Sequence, residues 1–257
     1  MRISIITISY NSSRTIERAI NSVLYQKNVD LEYILIDGKS TDNTVDIIKK
    51  YDEKVNNIKW ISEPDKGIYD AMNKGIQMAT GDIIGILNSD DFYASDDILE
   101  TVCNVFLNND IQCCYGNILY VKSVDKNIRP YRYWVSGRPR SFKFGWMPPH
   151  PAFFVKKEIY NKYGLFRLDC GTAADYEFML RLYEKYKIKS MWINKIFTYM
   201  EAGGASSANL ISYKKSHKYD IEAWDKNNLH KLFIMAWLKK IRKIPQFLYA
   251  KFVKIDF

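Results

Sequence analysis

The sequence predicts an α/β protein with a mostly parallel sheet, helices on both faces of that sheet, and a basic helical tail. Runs of β-branched and aliphatic residues alternate with segments of helical periodicity, four times within residues 1–91. Such alternation is typical of parallel strands joined by right-handed helical crossovers. A second observation concerns charge, because basic residues accumulate after residue 210 in a segment rich in aromatic side chains.

Each strand predicted within residues 1–91 is a short, continuous apolar run, which is typical of strands buried on both faces. These strands are predicted at residues 3–8, 33–36, 58–61 and 83–87. Helices are predicted between them, because capping residues precede apolar residues spaced three and four apart. Gly67 opens the third of these segments and Gly81 ends it.

The rest of the chain is less regular. The predicted elements are a helix at 99–106, strands at 113–121 and 152–155, and a helix at 175–186. Residues 125–149 are rich in Arg, Pro, Tyr and Trp and are predicted to form a loop over the site. A flexible loop is expected at residues 203–207, followed by a mostly helical tail.

Composition excludes several classes of protein. The chain has 257 residues, of which 47% are hydrophobic, which is too many for a disordered protein. The longest apolar run near the C-terminus, residues 232–238, is far shorter than the roughly 20 residues of a membrane-spanning helix. Four cysteines in a chain of this length do not indicate a disulfide framework. Since no export signal is evident, we expect a cytoplasmic protein.

Positive charge is concentrated in the tail. The net charge of the chain is +9, and residues 211–257 hold eleven basic and four acidic residues, a balance of +7. A cationic segment with aromatic and aliphatic residues favours binding to an anionic membrane surface. The alternatives are that the tail packs on its own domain or binds nucleic acid. Because no nucleic-acid motif occurs, we expect no nucleic-acid partner.

Polar residues follow all four predicted strands, at the edge where parallel sheets bind ligands. They are Ser9, Tyr10, Asn11, Asp37, Asp65, Lys66, Asn88, Ser89, Asp90 and Asp91. Adjacent carboxylates beside an amide suit Mg²⁺ or Mn²⁺, so Asp90 and Asp91 predict a metal site. The alternative is that this pair caps the helix that starts near Ser95.

The other strand-end residues suit a nucleotide. Asp37 can accept hydrogen bonds from a base or a ribose, or else it only forms the turn before Gly38. Asp65 can reach a nucleotide and Lys66 a phosphate, or both lie in a solvated turn. The sequence contains no dinucleotide-binding Gly-x-Gly-x-x-Gly after the first strand, no P-loop and no Gly-x-Ser-x-Gly elbow.

A set of motifs resembles the family 2 glycosyltransferases, in the branch that synthesises bacterial polysaccharides. The motifs are Tyr10-Asn11 and residues 36–42 (IDGKSTD), 62–75 (SEPDKGIYDAMNKG), 88–91 (NSDD), 148–154 (PPHPAFF) and 173–178 (AADYEF) with Arg181. The resemblance covers residues 3–207 and implies the GT-A fold. It divides the chain into a GT-A domain, 1–210, and a basic amphipathic helical tail, 211–257. Within the domain it implies a nucleotide-binding half, 1–91, and an acceptor-binding half, 92–210.

The resemblance also implies a nucleotide-sugar donor, a UDP-sugar, and a Mn²⁺ or Mg²⁺ cofactor. The implied nucleotide contacts are Thr7, Ser9, Tyr10, Asn11, Asp37, Asp65, Lys66, Asn88, Ser89 and Asp90. The implied metal ligands are Asp90 and Asp91. Asn88 departs from the family pattern, since that position usually holds Asp.

Asp175 aligns with the catalytic base, which would remove the proton of an acceptor hydroxyl while direct attack inverts the anomeric carbon. The alternative is that Asp175 caps the helix at 176–186. Ala174 stands where many relatives have Glu. Weaker candidates for contact with the acceptor or the diphosphate are His150, Trp146, Arg181 and Gly204. For these, packing or an ordinary connector is the alternative.

The implied acceptor is a lipid-linked saccharide used in O-antigen or capsule synthesis. The implied location is the inner face of the plasma membrane, with the protein bound peripherally through its tail. The alternative function is a non-catalytic module that binds a nucleotide sugar or a glycan, and the residues Asn88 and Ala174 leave it open.

Overall fold

A single mixed sheet organises the chain in a computed structural model, which describes residues 1–55, 58–124, 127–201, 210–231 and 235–253. Among these residues the strands are β1 (Arg2–Ser9), β2 (Asp30–Asp37), β3 (Ile58–Ser62), β4 (Ile83–Asn88), β5 (Asp91–Tyr93), β6 (Cys113–Val124), β7 (Asn127–Trp134), β8 (Phe153–Lys156) and β9 (Ser190–Glu201). Their order across the sheet is β3-β2-β1-β4-β8-β6-β9-β5, with β7 paired to β6.

The first four strands are parallel, and their register aligns their carboxyl ends. Ser9 lies opposite Asp37, and Asp37 lies opposite Ser62. On the other side of β1, Ile8 lies opposite Asn88. The predicted parallel core and its shared edge are therefore present in the structure.

Helices cover both faces of the sheet, as predicted. They are α1 (Ile16–Leu24), α2 (Thr44–Asp52), α3 (Ile68–Met78), α4 (Ile98–Asn108), α5 (Lys157–Tyr163), α6 (Ala174–Leu180), α7 (Leu210–Lys226), α8 (Met235–Ile241) and α9 (Ile244–Tyr249). Apolar residues of α1, α2 and α4 pack on the face that holds Ile3 and Ile5. Residues of α3, α5, α6 and α7 pack on the face that holds Ile6 and Ile8. β1, β2 and β4 are thus buried on both faces over most of their length, whereas the edge strand β3 is only partly buried.

Helix α3 lies unusually close to the sheet. A side-chain carbon added at Gly75 would come within 2.3 Å of Ile6 Cγ2. Because no real side chain tolerates such a contact, only glycine allows α3 to pack at this distance.

Three details differ from the sequence expectations. Residues 127–134, predicted as part of a loop, instead form β7 and pair antiparallel with β6. The sheet tolerates Pro130 there because it lies opposite Val121, where the register of the pair shifts. Asp91–Tyr93 forms a short strand that pairs with β9. The helix predicted at 175–186 is α6, and it continues through Lys185 with the wider π-helical repeat.

The predicted helical tail is also present, and its first part packs on the body. The Trp224 indole of α7 is buried and donates to the Tyr176 hydroxyl at 3.0 Å. Several tail lysines are in ion pairs: Lys218 with Glu222, Lys226 with Asp169, Lys231 with Asp225 and Lys239 with Asp220. None of the helices in the described part of the chain is both long and apolar enough to cross a bilayer.

A buried carboxylate joins three strands near the amino end of the sheet. Glu32 of β2 is 1% exposed and accepts hydrogen bonds from Ser4, Lys59 and Thr80. Burial alone would raise the pKa of Glu32, but these hydrogen bonds outweigh burial and lower the pKa to about 2. The charged form of Glu32 is therefore part of the folded state.

We predict that Glu32→Gln lowers the free energy of unfolding near neutral pH by about 3 kcal/mol, because it leaves several buried donors without a charged acceptor. Since folding lowers the pKa of this carboxyl from 4.5, its contribution is complete above pH 4.5 and is lost as the pH falls towards 2. Urea unfolding of both proteins near neutral pH and at about pH 3 measures this. The control is Glu53→Gln, an exposed position after α2, and an equal loss in both variants would contradict the prediction.

Candidate active site

The carboxyl ends of β1, β2 and β3 are tied together by one carboxylate. Asp37 is fully buried and accepts hydrogen bonds from the hydroxyls of Ser9 and Ser62 at 3.1 and 2.7 Å. It also accepts from the amide and hydroxyl of Ser40 in the next turn. Asp37 therefore does more than form a turn, because its hydrogen bonds hold the ends of three strands and the next turn together.

The loop after β1 is locked to the loop after β2. The Asn11 side-chain oxygen accepts from the Thr41 amide at 2.9 Å, and the Asn11 amide donates to the Ser40 hydroxyl at 2.8 Å. These contacts hold Tyr10 at the edge, where it is 64% exposed and lies against Gly38. An exposed ring in this position can stack on a planar base.

Thr7 does not fit the nucleotide contact predicted for it. Its side chain is fully buried within β1, and its hydroxyl accepts a hydrogen bond from the Tyr33 hydroxyl at 3.0 Å. The residue lies two positions before the end of the strand, in the core rather than at the edge.

The loop between β3 and α3 is held by Lys74, which sequence analysis missed. Its ammonium donates to Asp65 at 2.6 Å and to the Pro64 carbonyl at 2.9 Å, and it pairs with Glu63 at 2.8 Å. Burial opposes this charge, but the hydrogen bonds to Asp65 and Glu63 outweigh burial and raise the Lys74 pKa above its ordinary value. Lys74 thus neutralises the acids of this loop.

This loop also touches the turn after β2. A side-chain carbon at Gly38 would come within 2.9 Å of the Asp65 carboxylate, so Gly38 permits Asp65 to reach the strand-end edge. The side chain of Lys66 is exposed, while its amide donates to Asp70 at 2.9 Å. Asp65 therefore lies beside Asp37's turn, whereas Lys66 faces solvent.

At the end of β4, two buried side-chain oxygens have no hydrogen-bond donor among the described residues. Asn88 donates its side-chain amide to Asp91 Oδ2 at 2.9 Å. Asn88 Oδ1 and Asp91 Oδ1 are both buried and accept no hydrogen bond from the residues that the structure describes. Ser89 donates to the Ser12 hydroxyl at 2.8 Å, which joins this loop to the loop after β1. Buried acceptors without donors are costly unless a ligand or ion satisfies them.

Burial also disfavours the ionised forms of Asp90 and Asp91. It raises the pKa of Asp90, and the negative charge of Glu201 adds to this while Arg18 opposes it. Burial and the charge of Asp90 raise the pKa of Asp91 well above its usual range. A cation bound here would relieve this repulsion, so the residues fit a hard divalent ion. In the described part of the chain, three or more His, Cys, Asp or Glu side chains do not gather into a complete metal site.

Arg18 of α1 is a second cation that sequence analysis missed. Its guanidinium donates to the Asp90 carbonyl at 3.2 Å and to Glu201 at 2.8 Å. It also lies 4.3 Å from the centroid of the Phe92 ring. No sequence motif marks Arg18, because its partners lie on strands far along the chain.

Asp175 begins the second half of the site. It lies in the first turn of α6, and the residue at the N-cap position is Ala173, so the capping alternative is wrong. Asp175 Oδ1 accepts a hydrogen bond from the Tyr69 hydroxyl of α3 at 3.0 Å. Burial and the charge of Asp175 raise the pKa of Tyr69 well above its usual value, so Tyr69 remains a neutral donor.

The strand-end acids and Asp175 act on a common neighbour. Burial raises the pKa of the Tyr120 hydroxyl, and the negative charges of Asp91 and Asp175 raise it further while Arg132 opposes them. The hydrogen bond from Tyr69, in the first turn of α3, places Asp175 near the loop that carries Asp65.

His150 is partly buried, and the charge of Asp175 acts on it. Burial lowers its pKa, while the charge of Asp175 opposes the shift, so the imidazole is neutral near pH 7. Its ring packs edge-on against Phe166 with centroids 5.6 Å apart. His150 is thus both a packed residue and a neighbour of Asp175.

Two of the weaker candidates are structural residues. Trp146 is 2% exposed, packs among Phe142, Tyr115 and Tyr183, and donates its indole N–H to the Ser136 carbonyl. Its ring is mostly covered, although Trp146 also lines a cavity between the loop after β7 and the helices α8 and α9. The buried Arg181 guanidinium donates to the carbonyls of Tyr163 and Leu165 and pairs with Glu177, so it joins segments of the body. The fourth candidate, Gly204, lies outside the described residues.

Comparison with known proteins agrees with this geometry. Residues 4–192 match the family model described as Glycosyl transferase family 2. An uncharacterized glycosyltransferase of Mycobacterium tuberculosis is 33% identical over 183 residues, which cover 70% of this chain and 68% of that protein. Chondroitin synthase of Pasteurella multocida is 29% identical over 84% of this chain, but only 22% of that longer protein is covered.

Solved structures share the fold. S. aureus TarS in complex with UDP-GlcNAc has a TM-score of 0.65 at 19% identity and covers 98% of this chain and 73% of that chain. The mannosyltransferase PcManGT of Pyrobaculum calidifontis, in complex with GDP-Man and Mn²⁺, has a TM-score of 0.64 at 18% identity and covers 97% of this chain and 73% of that chain. The GT-A fold expected from the sequence is confirmed.

We predict that Lys74→Met loosens the loop between β3 and α3, because the carboxylates of Glu63, Asp65 and Asp70 then lose their shared cation. The expected cost is about 1 kcal/mol of unfolding free energy, with faster amide hydrogen exchange at residues 63–70. Lys50→Met, in the exposed last turn of α2, is the matched control. Unchanged exchange at residues 63–70 in the Lys74 variant would show that the loop does not depend on this ammonium.

Proposed function

Since the chain belongs to glycosyl transferase family 2, we propose that it transfers a sugar from a UDP-sugar to a hydroxyl of a lipid-linked saccharide, with inversion at the anomeric carbon. One observation carries the proposal. The family match spans both the strand-end edge with Asp37 and Asp90 and the separate segment with Asp175. The Tyr69 hydroxyl, which donates to Asp175, belongs to the helix that follows the Asp65 loop, and this supports a site that holds donor and acceptor together.

The nucleotide would lie on the edge that Asp37 fixes. The exposed ring of Tyr10 is suited to stacking on a base, and Asp65 beside Gly38 is suited to accepting from the nucleoside. Arg18, already paired with Glu201, places positive charge next to the Asn88–Asp91 loop. These residues would bind and orient the donor before reaction.

Asp175 would remove the proton of the acceptor hydroxyl as that oxygen attacks the anomeric carbon. Tyr69 holds one carboxylate oxygen, Oδ1, and orients the group. Among the described residues, Oδ2 accepts no hydrogen bond, which leaves it available to the acceptor. Because the attack occurs opposite the leaving diphosphate, a single displacement inverts the anomeric centre.

A divalent cation, Mn²⁺ or Mg²⁺, fits the end of β4. Asp90 and Asp91 would hold it, and the donorless Asn88 Oδ1 and Asp91 Oδ1 are oxygen ligands of the kind that such ions prefer. When bound, the ion neutralises negative charge on the leaving diphosphate. Asn88 supplies a neutral oxygen where the family usually has a carboxylate.

Relatives support a product that is a surface polysaccharide or glycolipid. Their names include chondroitin synthase and a PGL/p-HBAD biosynthesis glycosyltransferase of Mycobacterium tuberculosis, the latter 26% identical over 79% of this chain. The exposed apolar residues of α8 and α9, together with the positive charge of the tail, support peripheral binding to the inner face of the plasma membrane.

We predict that Asp175→Asn lowers the rate of sugar transfer by about 10²–10⁴-fold, because the amide cannot accept the acceptor proton. Binding of UDP, measured by calorimetry, should not change. Transfer is measured by release of UDP from a panel of UDP-sugars with a lipid-linked saccharide extract.

Tyr69→Phe is the matched variant, since it removes the hydroxyl that orients Asp175 and that also lies 3.2 Å from the Thr172 carbonyl. We expect a smaller loss in kcat of about ten-fold. Full activity of Asp175→Asn would refute its role as the base. Wild-type protein that binds UDP without hydrolysis or transfer, across many donors and acceptors, would support the non-catalytic alternative.

A second prediction concerns the cation. Removing divalent ions with EDTA should abolish transfer, and adding Mn²⁺ or Mg²⁺ should restore it. Asp90→Asn should lower transfer at every metal concentration, whereas Asp96→Asn, at an exposed position paired with Lys27, should not. Turnover that persists in EDTA would remove the metal from the mechanism.

A further inference from the structure

A cavity of about 330 Å³ lies between the loop that follows β7 and the helices α8 and α9. We name it the tail cavity. Its lining includes four cationic side chains, Arg140, Lys239, Arg242 and Lys243. Among the described residues that line it there is no Asp or Glu, although Asp220 pairs with Lys239 at 2.8 Å.

In the described part of the chain, the other three cations of the lining are not neutralised. Among the described residues, Arg140, Arg242 and Lys243 form no ion pair, and Arg242 donates only to the Phe144 carbonyl, at 3.5 Å. Burial and the nearby charges of Lys239 and Arg132 lower the pKa of Lys243 to about 8. Other lysines of the tail differ in this respect, since Lys226 and Lys231 have carboxylate partners. Positive charges held together in this way favour an anionic ligand.

Gln246 provides a second, independent observation. Its side chain lines the tail cavity and is 8% exposed, and its amide nitrogen donates to the Arg242 carbonyl at 3.2 Å. Its oxygen is buried and accepts no hydrogen bond from the described part of the chain. A ligand that carries both negative charge and a hydroxyl would satisfy the cations and this acceptor together.

One cation of the tail cavity contacts the helix that carries Asp175. Lys239 lies 4.2 Å from the centroid of the Tyr176 ring, and Tyr176 follows Asp175 in α6. The tail cavity is therefore joined to α6 through Lys239.

Apolar side chains surround the helices that form the cavity wall. On α8, α9 and the turn that follows they are Trp237, Ile241, Ile244, Leu248, Tyr249 and Phe252, all more than half exposed. Such a set of exposed apolar residues is unusual on a monomeric surface and marks a binding surface. Cations beside it suit an amphiphile with an anionic head group.

We propose that the tail cavity binds the diphosphate of the acceptor, a saccharide diphosphate attached to a hydrocarbon chain. The cations hold the phosphate oxygens, Gln246 accepts from a sugar hydroxyl, and the exposed apolar residues of α8 and α9 contact the hydrocarbon. This inference rests on the proposed glycosyltransfer, and it assigns the acceptor's anionic group to a site separate from the donor's.

The test uses the full chain and two kinds of phosphatidylcholine vesicle, one containing a polyprenyl diphosphate and the other phosphatidylglycerol at equal surface charge. We expect tighter binding to the polyprenyl diphosphate vesicles, and inorganic pyrophosphate should displace the protein. Lys243→Met should weaken this binding by about ten-fold, the loss of one charge-assisted hydrogen bond. Lys251→Met removes the same charge at an exposed position of the tail and should change binding little.

Equal losses in the Lys243 and Lys251 variants would overturn the proposal, because the tail would then act only as a diffuse positive surface. A loss in Lys243→Met that is the same on both vesicles would also overturn it, and would assign the cavity to membrane phospholipid. Absence of binding to either vesicle overturns it as well. If Lys243→Met lowers the melting temperature, Arg242→Met replaces it.

Failure of the proposed function is distinguishable from these outcomes. Release of UDP from a UDP-sugar into water tests the donor half alone, and neither Lys243→Met nor Lys251→Met should change it. A protein that binds polyprenyl diphosphate vesicles but never consumes a nucleotide sugar would sink the transferase proposal and leave the cavity as a lipid diphosphate site.

Discussion

The rest of the site depends on the hydrogen bonds that the buried Asp37 carboxylate accepts. Parallel register brings Ser9, Asp37 and Ser62 side by side, and the two serine hydroxyls both donate to that one carboxylate. Because Asp37 also accepts from Ser40, it fixes the loop after β2 to the sheet. Asn11 joins the loop after β1 to that second loop, so the exposed ring of Tyr10 is held by contacts that begin in the core.

The parallel half was predictable from the sequence because each of its strands is a continuous apolar run, and a strand end is easy to locate in such a run. Asp37, Asn88 and Asp90 were predicted to lie at the edge of the sheet because they stand at or just after such strand ends. Residues 127–134 were not predictable, because an edge strand with Pro130 and many polar residues lacks a clear period. Asp175 came from resemblance to a family, since nothing in its local pattern separates a catalytic acid from a cap.

Residues that were missed or misassigned share a physical cause. Arg18 and Tyr69 act through partners distant in sequence, and no local spacing records those contacts. Lys74 pairs with nearby acids, but the sequence does not show that its side chain turns back towards their loop. Conversely, Arg181 and Trp146 belong to residue types that often bind ligands, but their polar groups are used by backbone carbonyls inside the body. Thr7 is another example. The strand pattern predicted its place in β1, but it could not show that the Tyr33 hydroxyl donates to Thr7.

The packing of Gly75 against Ile6 fixes the rotational phase of α3 about its own axis, since no other residue type fits at that contact. Tyr69 lies six residues earlier on the same helix. The contact between Gly75 and Ile6 therefore also sets the direction in which Tyr69 points towards Asp175. One residue inserted between them would swing Tyr69 by about 100°. The number of residues between Tyr69 and Gly75 is therefore fixed. The helix α3 can gain or lose residues only outside this segment.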